Sequence, residues 1–192
     1  MAKVKTLEDL FEAQLHDIYW AEGKLHKALG KMAKKAPDAA LSAAFLKHQE
    51  ETQSQIDRLE QIMESLDIKV KGKKCDAMAG LLEEAEEMMK EASEPAVLNA
   101  AMIAAAQKVE HYEIASYGTL VCWANELGYS RQAQILTSIL GEEKKTDTAL
   151  TTLAENGLNV AAESKNVTSM QKASSGKKSA PAKKSASSKK AA

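Results

Sequence analysis

The stretch Ala104-Ala105-Ala106-Gln107-Lys108-Val109-Glu110-His111-Tyr112-Glu113-Ile114-Ala115-Ser116-Tyr117 decides the fold of this chain. Ile103, Ala106, Ile114, Tyr117 and Val121 recur at helical spacing and mark one side of a helix. Gln107 and Glu110 interrupt that same side, with Glu113 at its margin. A carboxylate in a buried stripe costs several kcal/mol unless a partner, a proton or a cation compensates it. The helix therefore carries a fault at mid-length that needs an explanation.

Three further stretches carry the same fault. Thr6 suits a helix N-cap, with Asp9 three residues on, and Leu7, Leu10, Gln14, Asp17, Ala21, Leu25 and Ala28 then trace one face to about Lys35. After a break at Pro37-Asp38, a second face runs through Leu41, Ala44, His48, Glu51, Gln55, Leu59, Ile62 and Leu66. The helix quoted above starts at Pro95 and closes at Gly128-Tyr129-Ser130. Beyond it, Leu136, Ile139, Glu143, Asp147, Leu150 and Leu153 trace a last face that ends around Asn156-Gly157. The two short links allow only antiparallel hairpins. Residues 67–95 are long enough to run the length of a bundle and include a short amphipathic helix from Met78 to Lys90. Short link, long crossover, short link predicts an all-α, ferritin-like four-helix bundle with a short extra helix in the crossover.

Each long helix thus places ligating side chains on its apolar stripe near the midpoint, and antiparallel neighbours bring midpoints to one level. The expected metal ligands are Asp17, His48, Glu51, Glu110, Glu113, Glu143 and Asp147, supported by Gln14, Gln55, Gln107 and Tyr117. Clustered carboxylates in a dry core need cations. Two divalent ions per chain would neutralise them, and oxygen donors with one imidazole suit iron or manganese. His16, His26 and His111 fall outside or beside the stripes, as surface groups or supports of the site. The alternative is that the carboxylates pair with one another as structural groups. The pattern also departs from the Glu-x-x-His of typical di-iron bundles: three residues beyond Glu51 stands Ser54, and three beyond Glu143 stands Thr146.

Residues 5–162 closely resemble the YciF-like, rubrerythrin-related ferritin-like proteins, a bacterial family mostly of unknown function. The pieces that carry the resemblance are Leu7-Glu-Asp-Leu, Asp17-Ile-Tyr-Trp-Ala-Glu22, His48-Gln-Glu-Glu-Thr52, Cys75-Asp-Ala-Met-Ala-Gly-Leu81, Gln107 through Leu120 and Glu142-Glu-Lys-Lys-Thr-Asp147. It implies a ferritin-like bundle, commonly a homodimer, with a dinuclear metal site and a stress-response role.

Composition bounds the rest. Aromatics at 4% argue against a β protein, and no apolar run approaches a membrane span. The N-terminus lacks an apolar signal core, so a cytoplasmic location is expected, with Cys75 and Cys122 as reduced thiols. Eight of the 26 basic residues and none of the 27 acids follow Glu163, so residues 1–163 carry about −9 and the remainder +8. Residues 1–163 are expected to form the bundle, and 164–192 a disordered tail too polar to offset its ordering entropy. Lys177, Lys178, Lys183, Lys184, Lys189 and Lys190 in that tail suit salt-sensitive, non-specific contact with DNA phosphates. Two functions compete: a metal-binding stress protein that oxidises Fe(II) or consumes peroxide, and a non-enzymatic structural or binding protein whose tail contacts DNA or a partner.

Overall fold

The computed structural model describes residues 4–163. The tail lysines named above lie outside the described residues. The helices are α1 (Leu7–Lys35), α2 (Ala39–Ser65), α3 (Asp76–Glu91), α4 (Pro95–Glu126) and α5 (Ser130–Leu153), and there is no strand among the described residues. None of the helices is long and apolar enough to cross a membrane.

Local chemistry sets the helix ends. Thr6 Oγ1 accepts the backbone N–H of Asp9 at 3.1 Å, and Asp9 Oδ2 accepts that of Thr6 at 3.1 Å, a reciprocal capping box. Thr6→Ala is expected to destabilise the protein by about 1 kcal/mol, read as a lowered urea midpoint at unchanged slope. Asp38 caps α2 through Leu41 N–H at 2.9 Å, and its own N–H reaches Asn99 Oδ1 at 3.2 Å. Cys75 Sγ caps α3. Pro95 opens α4, and Gly128, at φ 75°, lets the chain turn into α5. Asn156 and Gly157 leave helical geometry after α5, with Gly157 at φ 134°.

The hairpins are tied across their lengths. Tyr19 donates to Glu60 at 2.6 Å, Gln49 to the His26 carbonyl at 2.9 Å, and Ser42 to the Ala33 carbonyl at 2.7 Å, so α1 and α2 run antiparallel. Gln132 donates to Ser65 at 2.9 Å, which places the start of α5 against the end of α2. The Asp38–Asn99 contact puts the starts of α2 and α4 at one end of the bundle, so these helices run parallel and the crossover must return the full length. It is held by Lys73 N–H on the His16 carbonyl at 2.9 Å and by His16 Nε2 at 3.1 Å from the Lys69 carbonyl. His16 is therefore buried under the crossover rather than exposed, with no part in the mid-bundle cluster. A Cβ at Gly72 would stand 2.9 Å from Trp20 Cβ, so only glycine lets the crossover lie this close to α1.

The core fills the space between α1, α2, α4 and α5, with Phe11, Leu15, Ile18, Phe45, Leu59, Met102, Leu120 and Ile139 deeply buried. The glutamates at 83, 84, 86 and 87 face water from α3. Cys75 is buried, Cys122 is exposed, and both are free thiols.

Candidate metal centre

The periodicity of the buried faces places four acids and one imidazole together at mid-bundle. On α4 the buried stripe runs Ile103, Ala106, Val109, Glu110, Glu113, Tyr117, Leu120 and Ala124, so Glu113 is central rather than marginal, while Ile114 and Val121 lie at the edge. On α2 it runs Phe45, His48, Thr52, Gln55 and Leu59, and on α5 Leu136, Ile139, Glu143 and Leu150. His48, Glu110, Glu113 and Glu143 each offer a ligand atom within 4.8 Å of the others, and all are buried. His48 Nε2 lies 3.1 Å from Glu110 Oε1 and 4.0 Å from Glu143 Oε2.

Glu22 of α1 joins them, although it was not among the expected ligands. It has no exposed surface, accepts a hydrogen bond from the Tyr117 hydroxyl, and is electrostatically coupled to Glu143, His48 and Glu110. The signal was present: Leu15, Ile18, Leu25 and Leu29 stand seven and four residues before Glu22 and three and seven after it, and all are buried.

The other expected residues take varied places. Gln55 donates to Glu143 and, at 3.2 Å, to Glu142, which a two-pronged contact with Arg58 also holds. Glu51 is half-buried at the margin, 4.0 Å from His48 Nδ1 and ion-paired with Lys47 at 2.8 Å. Asp147 is half-buried at the seam of α4 and α5, accepting from Gln107 at 3.1 Å with His111 3.5 Å away. Asp17 accepts from Tyr112 at 2.9 Å, and Tyr112 in turn lies 3.0 Å from Cys75 Sγ, a separate network under the crossover. Gln14 is half-buried on α1.

Electrostatically the cluster is under strain. Burial, then the negative charge of Glu143, push Glu22 up to about 8, with Tyr117 and His48 opposing the shift. Burial raises Glu110 to about 8 as well, reinforced by Asp147 and Glu51. Burial and neighbouring carboxylates hold Glu113 and Glu143 well above the ordinary range. Despite this crowding there are few internal partners. Among the described residues, every buried side-chain N or O atom without a hydrogen-bond partner belongs to this group: Glu22 Oε2, both nitrogens of His48, Gln55 Oε1, Glu110 Oε2, both oxygens of Glu113 and Glu143 Oε2. The short His48–Glu110 approach is misaligned for a hydrogen bond. Buried polar atoms are rarely left so. A set of converging oxygen and imidazole donors with so many atoms left unpartnered fits a cation.

The class is thus an all-α, ferritin-like bundle with a buried carboxylate–imidazole cluster at its centre. Residues 6–163 match the family model described as a domain of unknown function, DUF892, and the chain belongs to that family. Protein YciF of Escherichia coli strain K12 is 51% identical over 163 residues, covering 84% of this chain and 98% of that protein. Among solved structures, the E. coli stress protein YciF matches with a TM-score of 0.78 at 51% identity, over 81% of this chain and 99% of that one. YcfI, described as a putative structural protein of Rhodopseudomonas palustris, matches with a TM-score of 0.77 at 47% identity, over 78% and 96%. A Xanthomonas campestris protein shares the fold at 23% identity and a TM-score of 0.64, over 84% and 99%.

Proposed function

We propose that this protein is a dinuclear metal-binding stress protein whose ions are held by Glu22, His48, Glu110, Glu113 and Glu143. The observation that carries the reading is the confinement of all unpartnered buried side-chain N and O atoms among the described residues to this cluster and the Gln55 amide that touches it. Four carboxylates, when ionised, carry a charge that two divalent ions cancel, whereas one ion leaves the core negative. Oxygen donors with a single imidazole select iron or manganese over thiolate-preferring metals. The E. coli relative is described as a stress protein, in keeping with a stress role.

The protein's own groups set up the chemistry. Tyr117 fixes one oxygen of Glu22 and leaves the other free; the Gln55 amide does the same for Glu143. Such supporting hydrogen bonds orient ligands and are worth about 10- to 100-fold in metal affinity. Burial favours the protonated form of these carboxyl groups, and a cation held by them would displace those protons. Iron in this site would supply electrons: hydrogen peroxide, two protons and one electron from each of two Fe(II) give two waters and two Fe(III).

Elemental analysis of protein purified without chelators tests the proposal. The expected content is about two ions of iron or manganese per chain, given the charge to be neutralised. Fewer than about one ion per two chains, with none gained on anaerobic titration with Fe(II) or Mn(II), would overturn it.

A further inference from the structure

A cavity of about 70 Å³ opens between α2 and α5 and ends on two members of the cluster, His48 and Glu110. Its walls are Ala44 and Phe45 of α2 with Ala149 and Leu150 of α5. Small residues facing one another across this seam leave the gap. Outside, a shallow groove lined by Ala40, Ala43 and Thr152 shares Ala44, Lys47 and Ala149 with the cavity, so the groove adjoins it. The inner end is deeply buried and polar: His48 is 2% exposed and Glu110 1%, and both ring nitrogens and Glu110 Oε2 lack hydrogen-bond partners.

We propose that this cavity is the entry and binding subsite for a small O–O oxidant, dioxygen or hydrogen peroxide, on its way to the metal centre. The inference rests on the metal-binding reading and names the substrate class and its route. Size sets the class: the space holds about two water-sized molecules, at roughly 30 Å³ each, and no organic substrate of ordinary size. Charge sets the direction of traffic. Lys47, ion-paired with Glu51 at 2.8 Å, and Lys145 line the outer part of the cavity, leaving one positive charge in excess that favours a neutral oxidant over a hydrated divalent cation. The apolar walls suit such a molecule, while the unpartnered donors lie only at the inner end. Either oxidant takes two electrons, one from each of two Fe(II), and two protons: dioxygen yields hydrogen peroxide, and hydrogen peroxide yields two waters.

Ala149→Leu tests the route. Ala149 is exposed, so its enlargement blocks the mouth without entering the packed core. Crystals of the metal-free full chain under xenon pressure should show one xenon atom against Phe45 and Ala44, and Ala149→Leu should abolish it. In the Fe(II)-loaded protein, Ala149→Leu should slow oxidation by dioxygen, peroxide or both by about ten-fold or more at unchanged metal stoichiometry. Slowing with one oxidant alone identifies which of the two the cavity serves. No xenon in the wild-type cavity, or equal oxidation rates in both proteins, overturns the route. So does slower metal uptake with unaltered oxidation, which would make the cavity the cation's path. A wild-type protein that binds no metal overturns both this inference and the reading beneath it, whereas metal binding with unchanged rates overturns the route alone.

Discussion

Between about pH 5 and pH 8 the metal-free protein is expected to lose stability by several kcal/mol, and a divalent ion is expected to reverse the trend. Glu22 and Glu110 are raised from 4.5 to about 8 by burial, and Glu113 and Glu143 move the same way. Above pH 4.5 the unfolded chain gives up these protons, while the folded chain keeps those of Glu22 and Glu110 until about pH 8 and holds those of Glu113 and Glu143 well above the ordinary carboxyl range. The native state therefore binds more protons, and the slope of unfolding free energy with pH is negative. The stability is present in full below the unfolded value and is lost as pH rises through the folded one. Each group that keeps its proton in this way removes about 1.4 kcal/mol per pH unit. Coupling within the cluster makes the total less than the sum of its members. Glu142, lowered by Arg58 despite its burial, acts with opposite sign and only in acid, as do exposed Asp9 and Asp76.

In the presence of EDTA, the melting midpoint should fall by on the order of 10 °C between pH 5 and pH 8. Manganese(II) replaces the protons, so its stabilising effect grows with pH and reaches about 3–4 kcal/mol at 100 to 1,000 times its dissociation constant. A midpoint that stays level or rises with pH in EDTA would show that the acids are not held as protonated buried groups. One that ignores manganese at pH 8 would remove the cation from the account.

How much of this was legible in sequence varies by feature. Thr6, Pro95 and Gly128 each declare a helix end through chemistry confined to a few residues, and the bundle's connectivity follows from link lengths alone. The face of α1 was harder. Leu7, Leu10, Gln14, Asp17, Ala21 and Leu25 form a plausible stripe, yet Leu10 is 38% exposed while Phe11, Leu15, Ile18 and Leu29 are buried. At 100° per residue, a shift of one position rotates the helix enough to replace Glu22 by Asp17 as the inward acid. The same small rotation on α2 distinguishes buried Thr52 from half-buried Glu51. On α4 and α5 the stripes pass through Glu110 and Glu143 in either setting, so those positions were readable. A helix face is a wide target; a ligand is a single residue within it. What settles the rotation is packing against α2, α4 and the crossover, the last including Gly72 against Trp20, and that packing is non-local.

Glu143→Gln is expected to act with opposite sign on the metal-free and metal-loaded protein. Gln55 donates to Glu143 Oε1, and the amide oxygen of the substituted side chain can keep that bond. Its new N–H₂ group faces a neighbourhood of carboxylate oxygens without partners, among them Glu110 Oε2 and both oxygens of Glu113. In EDTA at pH 8 the substitution removes a buried group whose ionisation opposes folding and leaves in its place a donor that cannot be lost to deprotonation. The unfolding free energy should rise by about 1–3 kcal/mol. With metal the reverse holds, because an anionic ligand has become neutral; affinity should drop by at least about 100-fold, and the pH-dependent gain from manganese should shrink with it. Isothermal titration with manganese(II), beside urea unfolding in EDTA, measures both signs on one variant. A purely structural carboxylate predicts a different pair of results: lower stability in EDTA and no change in a metal affinity that was never there. Only a group poorly suited to its own folded state, and suited to a cation instead, gives stabilisation on one side and loss of binding on the other.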